Sequence, residues 1–171
     1  MEGKMREWLE SGDGFAEYPF SGMRHLTLGA GVGIAPLELV AFDRALREAG
    51  FADYNLVRIS SIVPPGVTVR PRVELPGGFP LPIAYGVLIS HQQGERIAAA
   101  VVVAQPTDPR AIGVIMEVSG AMSRREAQEQ AEAMAELAMH DRNLRIARIE
   151  AAAIEATVEQ YTAVFAGAAL W

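Results

Sequence analysis

Two consecutive serines, Ser60 and Ser61, follow a β-rich segment and precede a rigid Pro64-Pro65-Gly66 turn. A serine hydroxyl can attack the carbonyl of the residue before it and cleave the chain there, provided that a strained geometry is held in place. Two adjacent prolines supply such rigidity because each ring fixes its φ angle. Serine pairs are common, and two polar residues at the end of a strand are the ordinary interpretation. The pair alone leaves both interpretations open.

A glycine run, Gly29-Ala30-Gly31-Val32-Gly33, follows a predicted strand and invites comparison with dinucleotide-binding loops. Those loops need G-x-G-x-x-G leading directly into a helix. Here the third glycine comes one position early, and Ile34-Ala35-Pro36 intervenes before the next helix. The run therefore favours a tight turn with close packing over a nucleotide site.

Metal and hydrolase chemistry have little support in the sequence. His25, His91 and His140 are far apart and lack metal-ligand spacing, so we predict no metal site. No G-x-S-x-G elbow is present for a serine hydrolase. The absence of cysteine excludes disulfides, thiolate nucleophiles and Cys-ligated zinc.

Composition narrows the class of protein further. The chain has 171 residues, of which 50% are hydrophobic, a size that suits one compact domain. The net charge of −6, with scattered basic residues, argues against a nucleic-acid partner and would attract a cationic substrate. The N-terminus lacks the apolar core of a signal peptide, and runs such as Ile97–Ala104 are shorter than a membrane span. We therefore expect a cytoplasmic protein without membrane contact.

The first half of the chain is predicted to hold an arm, two strands and a helix. Residues 1–23 show no sustained hydrophobic periodicity, and we predict that they form an N-terminal arm with one helical turn. Residues 24–171 are predicted to form a single domain. A strand from Arg24 ends in the glycine run at a sharp turn. An amphipathic helix opens at Pro36 and closes at Gly50. A strand over 55–63 ends at the prolines, and 71–82 forms a long loop.

The second half is predicted to be mostly sheet. Strands over 83–91 and 96–105 are joined by four residues and should pair as a hairpin. A strand over 111–118 leads to a helix that begins with a Ser123/Glu126 capping box and ends near His140. Strands over 144–152 and 156–168 complete the chain. About seven strands and two main helices favour an α+β fold, a layered αββα sandwich with mainly antiparallel sheets.

The residues around the serine pair resemble the processing site of the pyruvoyl-dependent arginine decarboxylase family. The specific motif is 55–66, Asn-Leu-Val-Arg-Ile-Ser-Ser-Ile-Val-Pro-Pro-Gly. The helix end 42–50, Phe-Asp-Arg-Ala-Leu-Arg-Glu-Ala-Gly, is similar to the family's N-terminal unit, and 112–117, Ile-Gly-Val-Ile-Met-Glu, is similar to its later acidic strand end. The resemblance covers about residues 25 to 140.

The resemblance implies self-cleavage between Ser60 and Ser61. Ser61 Oγ would attack the Ser60 carbonyl to form an ester, and elimination and hydrolysis would convert Ser61 to a pyruvoyl group with loss of ammonia. The products would be a β chain, residues 1–60, and an α chain, residues 61–171. The family's asparagine corresponds to Asn55, whose amide would polarise the scissile peptide as an oxyanion donor does. A turn residue at the start of a strand is the alternative for Asn55.

The resemblance also implies that the pyruvoyl group decarboxylates arginine to agmatine and carbon dioxide through a Schiff base. Glu117 would return a proton to the substrate Cα; a solvated strand end is the alternative. Asp43 would bind the guanidinium, and Ile62 would also contact the substrate. Without the resemblance, Asp43 is an exposed helix residue paired with Arg47.

The family's active sites lie between subunits, so the resemblance implies a homotrimer, which could stack into a dimer of trimers. Asp43 would then serve the pyruvoyl group of a neighbouring subunit. Two alternatives remain open from the sequence. One is a pyruvoyl decarboxylase for aspartate or histidine, and the other is an unprocessed, non-enzymatic homologue that acts as a structural or binding subunit.

Overall fold

The computed structural model describes residues 22–171. The predicted arm, 1–23, lies outside the described residues except for Gly22 and Met23. In chain order the described residues form β1 (His25–Ala35), α1 (Glu38–Ala49), β2 (Asn55–Arg58), β3 (Ile62–Val63), β4 (Thr68–Val69), β5 (Pro80–Ser90), β6 (Arg96–Pro106), β7 (Gly113–Gly120), α2 (Arg124–Asp141), β8 (Ile146–Thr157) and β9 (Tyr161–Leu170).

The strands form two sheets that face each other. One has five strands in the order β2-β5-β9-β1-β4, and the other has four in the order β3-β7-β6-β8. Strand β4 runs parallel to β1, and β2 runs parallel to β5; the other neighbours are antiparallel. Helix α1 covers the outer face of the five-stranded sheet, and α2 covers that of the four-stranded sheet. The predicted αββα sandwich, mainly antiparallel with two main helices, is confirmed.

Apolar side chains fill the space between each pair of layers. Val101, Val103 and Val164 belong to the cluster between the two sheets. Small residues line the contacts of the helices: α2 buries a stripe spaced four residues apart, Ala127, Ala131, Ala135 and Met139. This spacing places the four side chains on one helical face, so the alanine-rich sequence allows α2 to lie close to the sheet.

The glycine run does not form the predicted sharp turn. Gly29, Gly31 and Gly33 all lie within β1, which continues to Ala35. They alternate along the strand and face α1, where an added Cβ would overlap the helix backbone. The carbonyl oxygens that it would meet belong to Ala49, Ala45 and Ala41. The glycines therefore allow α1 to pack directly on the strand.

The predicted hairpin of β5 and β6 is wrong. Strand β5 lies in the five-stranded sheet, whereas β6 lies between β7 and β8 in the other. Their connection turns between the layers, and the Glu95 N–H donates to the Gln92 carbonyl at 3.0 Å. A connection this short suits both arrangements, because facing sheets are only about 10 Å apart. Loop length therefore could not decide the pairing.

The helix ends were predicted correctly. Gly50 ends α1 with a φ of 86°, the left-handed conformation that favours glycine. At the start of α2, the Glu126 N–H donates to the Ser123 hydroxyl oxygen and the Ser123 N–H donates to the Glu126 carboxylate, which together form the capping box. The Ser123 hydroxyl also donates to that carboxylate. The two hydrogen bonds that Ser123 donates to the carboxylate lower the pKa of Glu126.

The predicted break between the last two strands lies inside a continuous strand. Strand β8 runs through residues 153–155, and the chain turns only at 158–160 before β9. The alanine-rich segment 151–153 carries little signal for a strand end, since alanine is common in strands, helices and loops.

Neither described helix is long and apolar enough to cross a membrane.

Candidate active site

The serine pair lies where the chain crosses from one sheet to the other. The segment 55–63 was predicted as one strand, but it forms two: β2 ends at Arg58 in the five-stranded sheet, and β3 begins at Ile62 in the four-stranded sheet. The residues between them are Ile59, Ser60 and Ser61. An uninterrupted β-rich pattern does not show which sheet each residue joins, so the sequence concealed this crossing.

Backbone hydrogen bonds hold both ends of the segment 59–61 that joins β2 to β3. The Ile59 N–H donates to the Ile83 carbonyl of β5 at 3.1 Å, on the five-stranded sheet. The Ile115 N–H of β7 donates to the Ser61 carbonyl at 2.9 Å, on the four-stranded sheet. The Ser60–Ser61 peptide is therefore held between two fixed attachments, as the predicted cleavage chemistry requires.

The Ser60–Ser61 peptide is part of a tight turn. The Ile62 N–H donates to the Ser60 carbonyl oxygen at 2.8 Å, which closes a three-residue turn with Ser61 at its centre. Among the described non-glycine residues, Asn143 alone has a positive φ, so the turn at Ser61 is of the inverse γ type. The turn fixes the position of the Ser60 carbonyl relative to the Ser61 side chain.

Ser61 and Glu117 are brought into contact. The Ser61 hydroxyl donates to Glu117 Oε2 at 3.2 Å. Strand β3 pairs with β7 through Ile62 opposite Val114, which brings Ser61 alongside the segment that carries Glu117. Both side chains are partly buried. A hydroxyl beside its own scissile carbonyl, with a carboxylate accepting its hydrogen bond, has the components of an intramolecular acyl transfer.

Asn55 lies at the opposite end of β2 from the serine pair. Its side-chain amide donates to the Gly78 carbonyl at 2.6 Å, and its backbone N–H donates to the Phe79 carbonyl at 3.0 Å. Asn55 thus anchors the loop before β5, and within residues 22–171 its amide has no hydrogen bond to the scissile peptide. Its predicted role as an oxyanion donor stays a prediction.

The two predicted substrate-binding residues lie in different layers. Ile62 follows Ser61 directly in the chain, and Ile62 is 38% exposed. Asp43 lies on the exposed side of α1, outside the five-stranded sheet. Among the described residues Asp43 forms no ion pair with Arg47, which was its alternative interpretation. Within one chain the structure brings Ser61, Glu117 and Ile62 together and leaves Asp43 apart from them.

Sequence reasoning missed the backbone groups that hold the site. The Ile115 N–H, the Ile83 carbonyl and the Ile62 N–H belong to ordinary apolar residues. No residue type marks a backbone donor, so only the strand pairing could have revealed them. Within the described part of the chain, no group of three or more His, Asp or Glu side chains could hold a metal ion.

Solved structures offer a distant likeness. The structure of a pyruvoyl-dependent histidine decarboxylase at pH 8 superposes with a TM-score of 0.44 and 16% sequence identity, covering 60% of this chain and 54% of that one. This likeness is too remote to support an argument about the site.

Most of the sequence is similar to one family of known proteins. The family profile "Pyruvoyl-dependent arginine decarboxylase" matches residues 25–171. The pyruvoyl-dependent arginine decarboxylase of Methanocaldococcus jannaschii is 44% identical over 146 residues, 85% of this chain and 87% of that protein. That of Methanococcus vannielii is 40% identical, covering 90% and 94%, and that of Thermococcus kodakarensis is 32% identical, covering 77% and 84%. The chain belongs to the pyruvoyl-dependent arginine decarboxylase family.

Proposed function

We propose that this chain cleaves itself between Ser60 and Ser61 and that the product decarboxylates arginine to agmatine and carbon dioxide. The observation that carries the proposal is the contact between the Ser61 hydroxyl and Glu117 at the crossing between the sheets. Cleavage gives chains of residues 1–60 and 61–171, and Ser61 becomes the pyruvoyl group at the start of the second chain.

The residues around Ser61 fit a pyruvoyl group. Its attachment to the four-stranded sheet uses the Ser61 carbonyl, which cleavage on the other side of the residue leaves in place. Glu117 reaches the side-chain end of the same residue. A pyruvoyl group supplies a ketone that condenses with the substrate amine and accepts the electrons released when carbon dioxide departs.

Glu117 is the proton donor in this proposal. Decarboxylation leaves the substrate Cα in need of a proton, and an acid within hydrogen-bonding reach supplies it. Glu117 is in contact with Ser61, where the reaction occurs, and is partly buried on β7. Its position supports the role that the resemblance assigns to it.

Arginine is the proposed substrate because three relatives with 32–44% identity carry the name arginine decarboxylase. Asp43 supplies a carboxylate suited to two charge-assisted hydrogen bonds with a guanidinium. Since Asp43 is exposed on the outer helix layer, the proposal places it in the site of a neighbouring subunit. We therefore propose a cytoplasmic homotrimer, with a dimer of trimers as the larger assembly.

The test combines mass analysis with a decarboxylation assay. Denaturing mass spectrometry of incubated protein should show two fragments in place of one species of 18.4 kDa. Fully cleaved protein should then release carbon dioxide from arginine faster than from lysine, ornithine, histidine or aspartate. A chain that stays intact would support the non-enzymatic alternative. Cleavage with a preference for aspartate or histidine would overturn the substrate alone.

A further inference from the structure

Strand β5 contacts β7 directly at Gly86, with no side chain between the two backbones. A Cβ added to Gly86 would lie 3.0 Å from the Val118 carbonyl oxygen and 3.5 Å from the Val118 nitrogen. Even a close C–H···O contact keeps the carbon and the oxygen about 3.3–3.6 Å apart. Gly86 lies within a strand and does not have a positive φ, so its own conformation does not require glycine. The close approach of β7 requires it.

This contact lies beside Glu117. Side chains alternate along a strand, so Glu117 and Ser119 share the face of β7 that carries Ile115. Ile115 belongs to the cluster between the two sheets, whereas Val118 packs on the side of α2. Gly86 therefore contacts the β7 backbone between the two inward positions, 117 and 119.

A hydrogen bond joins the same two strands one residue farther along. The Ser119 hydroxyl donates to the Val87 carbonyl at 3.1 Å. Val87 follows Gly86 in β5, and Ser119 follows Val118 in β7, so the hydrogen bond and the backbone contact are adjacent. Together they set the spacing of the two sheets next to Glu117.

This side of the sandwich has little other support within residues 22–171. The pairing of β2 with β5 ends at Ile83, and the pairing of β3 with β7 ends at Val114. In the described chain, 84–90 and 115–120 therefore lie at the edges of their sheets, each with a paired strand on one side only. Segments with few contacts open more easily than those paired on both sides. The Gly86 contact and the Ser119 hydrogen bond oppose this opening.

We propose that Gly86 and Ser119 are positioning residues for Glu117, an inference that rests on the proposed role of Glu117 as the proton donor. With β5 against Val118, the Glu117 side chain is kept from turning toward Ser119. It is directed instead to Ser61, whose hydroxyl donates to it at 3.2 Å. A narrow gap between the sheets also keeps water away from the carboxyl group. A proton donor that is already held at the reacting atom loses little entropy when it acts.

The test compares Gly86→Ala with Gly167→Ala at equal amounts of cleaved protein. Both variants add a methyl group to the five-stranded sheet, but a Cβ on Gly167 would meet the Phe165 ring, on the face toward α1. Gly86→Ala should lower kcat for arginine by about 10-fold with little change in KM, since misplacing a catalytic group by about 1 Å can cost 10²-fold. Gly167→Ala should lose stability without this loss of kcat. Equal turnover by the two variants would overturn the inference.

Ser119 provides a second pair of variants, which keeps the inference testable if Gly86→Ala does not fold. Ser119→Ala removes the hydrogen bond and should also lower kcat, whereas Ser119→Thr keeps a hydroxyl and should restore it. The control is Ser90→Ala, near the far end of β5, which removes a hydroxyl that donates to Glu95. If Ser119→Thr is no more active than Ser119→Ala, or if Ser90→Ala loses as much activity, Ser119 does not position Glu117.

A chemical label measures the spacing of the sheets without any reaction at Ser61. The chain has no cysteine, so Glu117→Cys in the uncleaved Ser61→Ala protein creates a single thiol. Iodoacetamide should alkylate this thiol faster when Gly86→Ala is added, because a wider gap admits the reagent. It should react no faster when Gly167→Ala is added. Mass spectrometry over a time course gives the rates, and an unchanged rate with Gly86→Ala would refute the proposed spacing.

These experiments distinguish failure of this inference from failure of the proposed function. If the wild-type chain cleaves and decarboxylates arginine while Gly86→Ala and Ser119→Ala keep full turnover, the inference alone is refuted. If the wild-type chain does not decarboxylate arginine, the proposed function is refuted, and the alkylation rates still decide whether Gly86 sets the spacing at position 117.

Discussion

The two serines contribute different atoms to the proposed cleavage. Ser60 provides the carbonyl that is attacked, and that carbonyl accepts from Ile62. Ser61 provides the hydroxyl, which donates to Glu117. A carbonyl is present in every residue, whereas the hydroxyl belongs to serine, so the two positions should tolerate replacement very differently.

The first prediction concerns this difference. Ser61→Ala should block cleavage completely, because no nucleophile remains at the scissile peptide. Ser60→Ala is the matched control and should still cleave, because it retains the carbonyl and loses only an exposed side chain. Denaturing mass spectrometry over a time course measures both. Two fragments from Ser61→Ala would exclude the Ser61 hydroxyl as the nucleophile.

The second prediction separates maturation from catalysis at Glu117. Glu117→Gln retains an oxygen that can accept the Ser61 hydrogen bond but cannot donate a carboxylic proton. In the part of the variant protein that has cleaved, the decarboxylation rate should fall on the order of 10²–10⁴-fold. Carbon dioxide release is compared at equal amounts of cleaved protein. Wild-type turnover in the cleaved variant would remove Glu117 from the proton-transfer step.

The contact between β1 and α1 positions the helix that carries Asp43. Gly31 and Gly33 leave no room for a Cβ beside the α1 backbone, and backbone cannot swing aside as a flexible side chain can. Any side chain on this face of β1 must therefore push the helix outward. The glycine run was predicted to form a tight turn with close packing; the turn was wrong, and the close packing is between β1 and α1.

The third prediction tests this packing. Gly31→Ala should destabilise the fold by about 1–3 kcal/mol, since overpacking forces backbone shifts. Gly77→Ala is the control, because its added Cβ would meet only the Asp53 carbonyl at an ordinary 3.7 Å. It should stay within about 0.5 kcal/mol of the wild type. Urea unfolding of uncleaved Ser61→Ala protein gives both values; equal stabilities would contradict the packing account.

Element boundaries set by local chemistry could be predicted, and strand partners could not. Gly50 and the Ser123/Glu126 box determine helix ends through hydrogen bonds within a few residues, so the sequence reveals them. The crossing at 59–61 and the separation of β5 from β6 depend on contacts with distant strands. Ser61 and Glu117 could be named because they belong to a family motif. The hydrogen bond from the Ile62 N–H to the Ser60 carbonyl could not, because it depends on how the chain crosses between the sheets.

The proposed cleavage divides the sequence but leaves strands of both products side by side in the five-stranded sheet. Strand β1, from residues 1–60, lies between β9 and β4, which both come from 61–171. Strand β2 pairs with β5 across the same division. The two chains therefore share one five-stranded sheet and its core, and they should remain together after the peptide is broken.

This interleaving decides how a shared active site can be tested. Because the two products share one sheet, the test uses two full-length variants made together in one cell. Ser61→Ala lacks the pyruvoyl group but keeps Asp43, and Asp43→Asn keeps the pyruvoyl group but loses the carboxylate. In a homotrimer whose sites lie between subunits, a neighbour can supply what each variant lacks.

The fourth prediction is that such mixed assemblies recover activity on arginine. Asp43→Asn alone should still cleave and should bind arginine more weakly by roughly 1.5–3 kcal/mol, the worth of a hydrogen bond to a charged group. At arginine concentrations below KM, co-expressed variants should exceed the sum of the separately made proteins, because some sites combine an intact pyruvoyl group with an intact Asp43. Proteins mixed after purification provide the control. Activity no greater than the sum would place Asp43 in the site of its own chain or outside the site altogether, and unchanged arginine turnover in Asp43→Asn would remove it from substrate binding.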